Sequence, residues 1–445
     1  MARFQNLSTG NRKGLPLGKN VEQTRKNGNG KKRGFFAVDR VSYGKVCDLG
    51  KCDTAAVYLC LANGTDEKNE KSTWSATAAQ NYLGLRWSKA REHIDRLIRA
   101  RLIVQGGTRS RPTYELVSYG KPVQRQLTKL EKKAFDLIEA GGQPEDPNMV
   151  QAAERAVYKK WLRKGPDGYE VHDLQAEKIW FPSTLVTGTG SPSETASPVA
   201  RLMRSRDAHA FRLMGDLYFK QDLEAFGGVY WHALCQSFVA YSDETHIKDQ
   251  PYVLRSFSGG ERSPVRTYWP SQISGYENEN DDIPNPFWKL LEHVENAGLI
   301  EWVVYAFNGD DEDAEPIFPL GVMRQGRVVE CLESEVGAMA GAASKALADA
   351  LPWEHIYQGR SASDFDPCLS DGRWNHNQSF FFPVEHGQTE VTVKAIARMI
   401  HRPHTEKTSR WYARHVRSCE ECKAHFTTIV EMQSRQVDDF AKQMV

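Results

Sequence analysis

Arg86, Lys89, Arg91 and Arg96 fall in one eleven-residue stretch with Trp87, Ser88 and Glu92. A guanidinium can donate two parallel hydrogen bonds to guanine O6 and N7 or to a phosphate, and an ammonium adds a mobile point charge. Two more arginines, Arg109 and Arg111, follow the Gly106-Gly107 pair, and Lys31, Lys32 and Arg33 close a basic leader. The arginines and lysines among them donate hydrogen bonds and carry positive charge. Their chemistry is recognition of nucleic acid, with Lys89, Arg91, Glu92 and Arg96 expected to meet base edges or phosphates.

A second constellation lies near the other end of the chain. His415, Cys419 and Cys422 occupy positions i, i+4 and i+7 of a helix expected over Thr408–Met432, so all three share one face. Zinc takes four borderline-soft ligands in a tetrahedron, and this spacing supplies three, with His401, His404, His386 or Cys368 as the fourth. The spacing resembles the zinc motif of bacterial anti-sigma factors, and the resemblance implies a structural zinc. Two other readings stand beside it: the cysteines pack as small apolar residues, or they form a redox pair.

The elements that must position the first group can be read from periodicity. Ala90, Ile94, Leu97 and Ile98 repeat at three and four, as the buried side of a helix requires, which leaves Ser88, Lys89, Arg91, Glu92, Asp95, Arg96 and Arg99 facing outward. A shorter helix precedes it and ends at Gly84. Ser72 or Thr73 is expected to cap the first of these two helices and Ser88 the second. An earlier helix spans Cys52–Ala62, capped by Asp53 and stopped at Asn63-Gly64. Gln105-Gly-Gly-Thr-Arg-Ser-Arg then makes a β-hairpin.

Helix, glycine turn, basic helix and hairpin together resemble the winged helix-turn-helix superfamily, which implies the basic helix in the major groove of double-stranded DNA and the hairpin on the flanking backbone. Leu97-Ile-Arg-Ala-Arg-Leu-Ile103 also aligns with Val294-Glu-Asn-Ala-Gly-Leu-Ile300 at an offset of 197. Such a repeat resembles the twin winged-helix plan of plasmid replication initiators. Two departures matter: Arg101 stands where that helix end favours glycine, and the second copy carries Asp310, Asp311, Glu312 and Asp313 at its hairpin tip, which would repel phosphate.

Charge follows the same division. Residues 1–33 hold nine Lys or Arg against Glu22 alone, and residues 1–125 hold 24 basic against 10 acidic, a surplus of 14. Of the totals of 58 and 57, this leaves 34 against 47 for residues 126–445, a deficit of 13. A leader so poor in apolar residues cannot order itself and is expected to track phosphates, while the acidic half suits a protein partner or a second copy of the chain. No run of 18 apolar residues suggests a membrane span, the first 30 residues lack a signal-peptide core, and eight mostly isolated cysteines in 445 residues do not make a disulfide framework. Reduced thiols in a bacterial cytoplasm, associated with the nucleoid, are the expectation.

The fold class expected is mainly α with small β-hairpins, an α+β chain. It divides into a basic arm (1–34), a winged helix-turn-helix (35–120), a helical connector (121–175), a second winged-helix-like domain (176–325) and a helical carboxy-terminal region (326–445). Catalysis is not expected. Gly14-Leu-Pro-Leu-Gly-Lys-Asn is too short for a phosphate-binding loop, and no paired carboxylates suit a two-metal nuclease. The functional expectation is a sequence-specific double-stranded DNA-binding protein, a transcription regulator or the replication initiator of a mobile element. The alternative is an adaptor subunit that uses these modules to dock protein or RNA.

Overall fold

The computed structural model describes residues 34–108, 110–120, 127–159, 161–165, 168–171, 177–189, 191, 194, 196–246, 251–258, 265–268, 273, 276, 286–311, 314–324, 327–349, 379–385 and 391–443. The expected basic arm with Lys31, Lys32 and Arg33, the hairpin residue Arg109, and the zinc candidates Cys368 and His386 lie outside them. The described chain forms two compact units, one of Phe35–Phe181 with Val186–Gly215 and one built on Asp216–Val445. Among the described residues no helix is long and apolar enough to cross a membrane.

The first unit opens with β1 (Phe35–Asp39) and α1 (Arg40–Cys47). Asp39 caps α1, its Oδ1 accepting from the Ser42 amide at 2.6 Å. The next helix, α2 (Cys52–Asn63), is buried along almost its whole length. Its cap is not the expected Asp53: Lys51 stands at the N-cap without a side-chain bond, and Asp53 sits inside the first turn. After β2 (Lys71–Ser72), α3 (Ala76–Leu83) is capped by Ser75, which accepts from the Thr77 amide at 3.4 Å. Ser72 and Thr73 do not cap it, because the Ser72 hydroxyl instead donates to the Leu61 carbonyl at 2.6 Å.

Gly84 ends α3 in the left-handed region at φ 69°, which a glycine adopts without a Cβ penalty. α4 (Trp87–Arg99) follows with Ala90, Ile94 and Leu97 fully buried. Ser88 is not its cap, since Arg86 holds that position and makes no side-chain bond to the helix. β3 (Ile103–Gly107) and β4 (Pro112–Leu116) then form a hairpin, and β4 also pairs with β2, giving a three-stranded sheet of order β2-β4-β3.

The stretch expected as a connector has its own core. α5 (Lys129–Glu139), with a complete Thr128–Glu131 capping box, and α6 (Pro147–Tyr158) close on the hairpin of β5 (Leu162–Gly165) and β6 (Gly168–Val171). Ala134, Ala153, Ala156 and Leu162 are fully buried between them. β7 (Lys178–Pro182) returns to pair with β1. Two short helices, α7 (Thr184–Thr187) and α8 (Pro198–Leu202), precede α9 (Ala208–Phe219). Between α8 and α9 the chain turns at Arg206, which takes φ 57°, so residues 198–219 do not form one helix.

In the second unit the short pair β8 (Gln221–Asp222) and β9 (Gly228–Val229) leads into β10 (Leu234–His246), β11 (Tyr252–Ser258) and β12 (Val265–Tyr268). α10 (Pro286–Asn296) precedes β13 (Ile300–Phe307), β14 (Pro316–Arg324) and β15 (Arg327–Val328). α11 (Leu332–Asp349), β16 (Ser379–Glu385), β17 (Thr392–Met399) and α12 (Glu406–Gln443) complete the unit. One eight-stranded sheet runs β15-β14-β13-β17-β10-β11-β16, with β12 also paired to β10.

The α+β class holds. The sheet departs from an expectation of small hairpins only, and it crosses the boundary expected at residue 325, since β13 lies between β14 and β17. The expected helical carboxy-terminal region, 326–445, therefore contributes three strands, β15, β16 and β17, to this sheet. The hairpin of β13 and β14 does follow α10, but as part of that sheet rather than free.

Candidate nucleic-acid interface and a buried charge network

In the first unit, α4 meets α2 and α3 through its apolar side, and His93 joins that side. It is 7% exposed, its Nδ1 lies 2.9 Å from the Thr54 hydroxyl, and its Nε2 lies 3.5 Å from Asp53 Oδ2. The bond to His93 holds the Asp53 carboxyl below its usual range. Asp53 thus clasps α2 to α4 rather than capping α2.

The outward side of α4 divides in two. Arg86, Trp87, Ser88 and Lys89 are exposed at its start, and Trp87, at 53%, is one of the most exposed large apolar residues described. With no side-chain cap at Arg86, the first amide groups of α4 remain open to an acceptor, and a helix start favours negative charge. Lys89 pairs loosely with Glu92 at 2.8 Å, both being exposed.

Arg91 is spoken for by its own unit. Its guanidinium donates to the Tyr114 hydroxyl and to Gln105 Oε1, each at 3.1 Å, and lies 3.1 Å from Asp95. It ties the hairpin to α4 through these bonds. Arg96 is half-buried, and Arg111 is exposed at the hairpin end.

Arg101 takes φ 58°, the left-handed turn that the sequence requires without a glycine. Its amide donates to Ile98 O at 2.9 Å, and the Leu102 amide reaches back to Leu97 O at 3.0 Å. At the aligned position Gly298 has φ 67°, with the Leu299 amide donating to Val294 O at 3.2 Å. The internal repeat is therefore a repeated helix end.

The second unit buries a charge network that no motif in the sequence announced. Side chains alternate along β13, so Glu301, Val303 and Tyr305 share one face, and the register sets Glu301 directly opposite Arg398 and Tyr305 opposite Lys394 of β17. Arg398 donates from Nε to Glu301 at 2.6 Å and from Nη1 to Glu333 of α11 at 2.8 Å. Arg324 of β14 adds two bonds to Glu301 Oε2, at 2.9 and 2.6 Å. Burial alone would raise both carboxyls, but for Glu301 the charges of Arg398 and Arg324, and for Glu333 those of Arg398 and His415, outweigh it and hold them below the usual carboxylate range.

His415 of α12 belongs to this network. Its Nε2 faces Glu333 Oε1 at 2.8 Å, its ring stacks on Trp411 at 4.7 Å, and Cys419 Sγ lies 3.7 Å from the same Nε2. One ring nitrogen of His415, expected as a zinc ligand, is thus engaged by a carboxylate. Burial pushes the thiols of Cys419 and Cys422 up. Of the fourth-ligand candidates, His401 is buried and His404 exposed, and among the described residues no three His, Cys, Asp or Glu side chains converge as a metal group would need. The signal that marks the network is a lone charge inside an apolar strand: Glu301 in Ile-Glu-Trp-Val-Val-Tyr-Ala-Phe, and Lys394 and Arg398 in Thr-Val-Lys-Ala-Ile-Ala-Arg-Met.

Comparison with protein-family models, curated proteins and solved structures finds no match to this chain.

Proposed function

We propose that the segment 52–117 is a winged helix-turn-helix and that the protein binds double-stranded DNA through it. The observation that carries this reading is the joint placement of α3, the left-handed turn at Gly84, the uncapped and basic start of α4, and the β3–β4 hairpin paired to β2. Arg86, Ser88 and Lys89 would enter the major groove, the open amides of α4 would meet a phosphate, and Arg111 would touch the flanking backbone. Arg91 would act through the hairpin that it holds.

The process served is a transcription regulator's or a replication initiator's, and the arrangement of sites distinguishes them. Sites selected from a random double-stranded pool by the full chain at near-physiological salt should share a motif. One palindrome supports regulation by a dimer; iterated direct repeats support initiation. Retention without any motif would defeat sequence-specific reading.

The adaptor reading has one observation of its own. Trp87 and Val104 are each 53% exposed, on α4 and β3 respectively, and an aromatic anchor of this kind also suits a protein partner. Trp87→Ala separates the two: unchanged DNA retention with loss of a co-purifying protein would favour the adaptor.

A further inference from the structure

The charge network borders a cavity of about 180 Å³ that lies wholly within the second unit. Three arginines line it, Arg324, Arg398 and Arg402, together with His415, against two glutamates, Glu301 and Glu333, so basic groups outnumber carboxylates. Arg324 and Arg398 spend their donors on the glutamates. Arg402 does not. Of the five N–H donors of a guanidinium, its Nη1 donates to the Gly227 carbonyl at 2.7 Å, and its carbon lies 4.9 Å from the centre of the Trp411 ring. No carboxylate among the described residues pairs with it. Burial, and then the neighbouring charge of Arg398, push Arg402 down to about 10, so it remains charged at neutral pH at a cost that a bound anion would relieve.

The fold maintains this arrangement. Gly227 takes φ 63°, and a Cβ there would collide with the Trp411 ring. Only glycine brings that carbonyl to Arg402 with the indole beside it. Val322, Leu332 and Ile400 supply apolar wall to the same cavity. A dry cavity of about 150 Å³ holds a molecule the size of benzene, so a small organic molecule fits the volume here.

We propose that this cavity binds a small organic molecule carrying a single carboxylate, which pairs with the unspent donors of Arg402 and sets its apolar body against Val322, Leu332 and Ile400. A carboxylate answers the surplus of basic groups, and its planar oxygens match the guanidinium fork. Val322, Leu332 and Ile400 offer an organic body contacts that inorganic phosphate, which shares the charge, has no body to make. This inference does not rest on the DNA reading.

The test is calorimetric titration of the full chain with acetate, pyruvate and benzoate, with inorganic phosphate and benzamide as the phosphate and uncharged arms. Saturable binding of at least one monocarboxylate is expected, weakened at least tenfold in Arg402→Gln and absent for benzamide. Arg402→Lys, which keeps the charge without the fork, should bind between the two. Amide hydrogen exchange in the wild-type chain gives a readout independent of variant folding, with added protection expected at residues 398–415 on ligand addition. Tighter binding of phosphate than of every carboxylate, no saturable binding across the panel, or binding unchanged in a folded Arg402→Gln would each overturn the proposal.

Discussion

Arg91 illustrates how a residue's type fixes its chemistry while its neighbours fix its task. Its bonds to Tyr114 and Gln105 join α4 to the hairpin, so Arg91→Ala should lower stability by about 0.5–1.5 kcal/mol in urea unfolding. On the proposed DNA-binding reading, its removal should weaken all sequences alike. Arg86→Ala should instead cost about 1–3 kcal/mol on a selected site and relax preference at one position, if it reads a guanine. Glu333 shows the reverse situation, a residue whose task was illegible because its partners come from α11, β17 and α12. Both Glu301 and Glu333 sit below their ordinary value of 4.5, so the unfolded chain binds more protons than the folded one in acid. Their contribution is complete at neutral pH and is lost as pH falls below about 4.5. Urea midpoints between pH 7 and pH 3 should fall steeply for the wild type and less steeply for Glu333→Gln, which should itself lose about 3–5 kcal/mol at pH 7 because Arg398 is left with one partner.

At the scale of elements, the two aligned helix ends make a matched experiment. Both use a left-handed residue and a backbone bond from the following leucine, but one has Arg101 and the other Gly298. Arg101→Gly should therefore stabilise the first unit by about 0.5–1 kcal/mol, and Gly298→Ala should destabilise the second by about 1 kcal/mol, as thermal or urea unfolding would measure. The helices themselves were legible, since their buried sides follow three-and-four spacing at Ala90, Ile94 and Leu97. Their caps were not. Ser72 is a good cap by type, yet Leu61 O competes for its hydroxyl, and that carbonyl becomes a neighbour only after α2 has packed.

At the scale of the molecule, on the proposed DNA-binding reading, the basic surplus of residues 1–125 and the acidic deficit of the rest predict a measurable salt dependence of that binding. Removing residues 1–33, with their nine basic side chains, should reduce the slope of log affinity against log salt by about 0.9 for each phosphate that these side chains neutralise, while leaving the selected motif unchanged. A slope that did not move would mean that this stretch neutralises no phosphate. The domain boundaries were less legible than the charge. β14 and β17 are far apart along the chain, one ending at Arg324 and the other starting at Thr392, but both flank β13, so a cut at 325 divides strands that only long-range pairing unites.

The amino-acid sequence by itself determined what depends on neighbours along the chain: the 3.6-residue periodicity of α4, the turn at Gly84, the β3–β4 hairpin and the uneven charge. It also determined the left-handed turn at Arg101, because the pattern of helix end followed by Leu-Ile demands one whatever residue occupies it. Only the tertiary structure decided the eight-stranded sheet, the engagement of Arg91 and His415, and the pairing of Glu301 with Arg398. Those depend on which distant segments share a register or a face, and a charged residue in an apolar strand names the need for a partner without naming the partner.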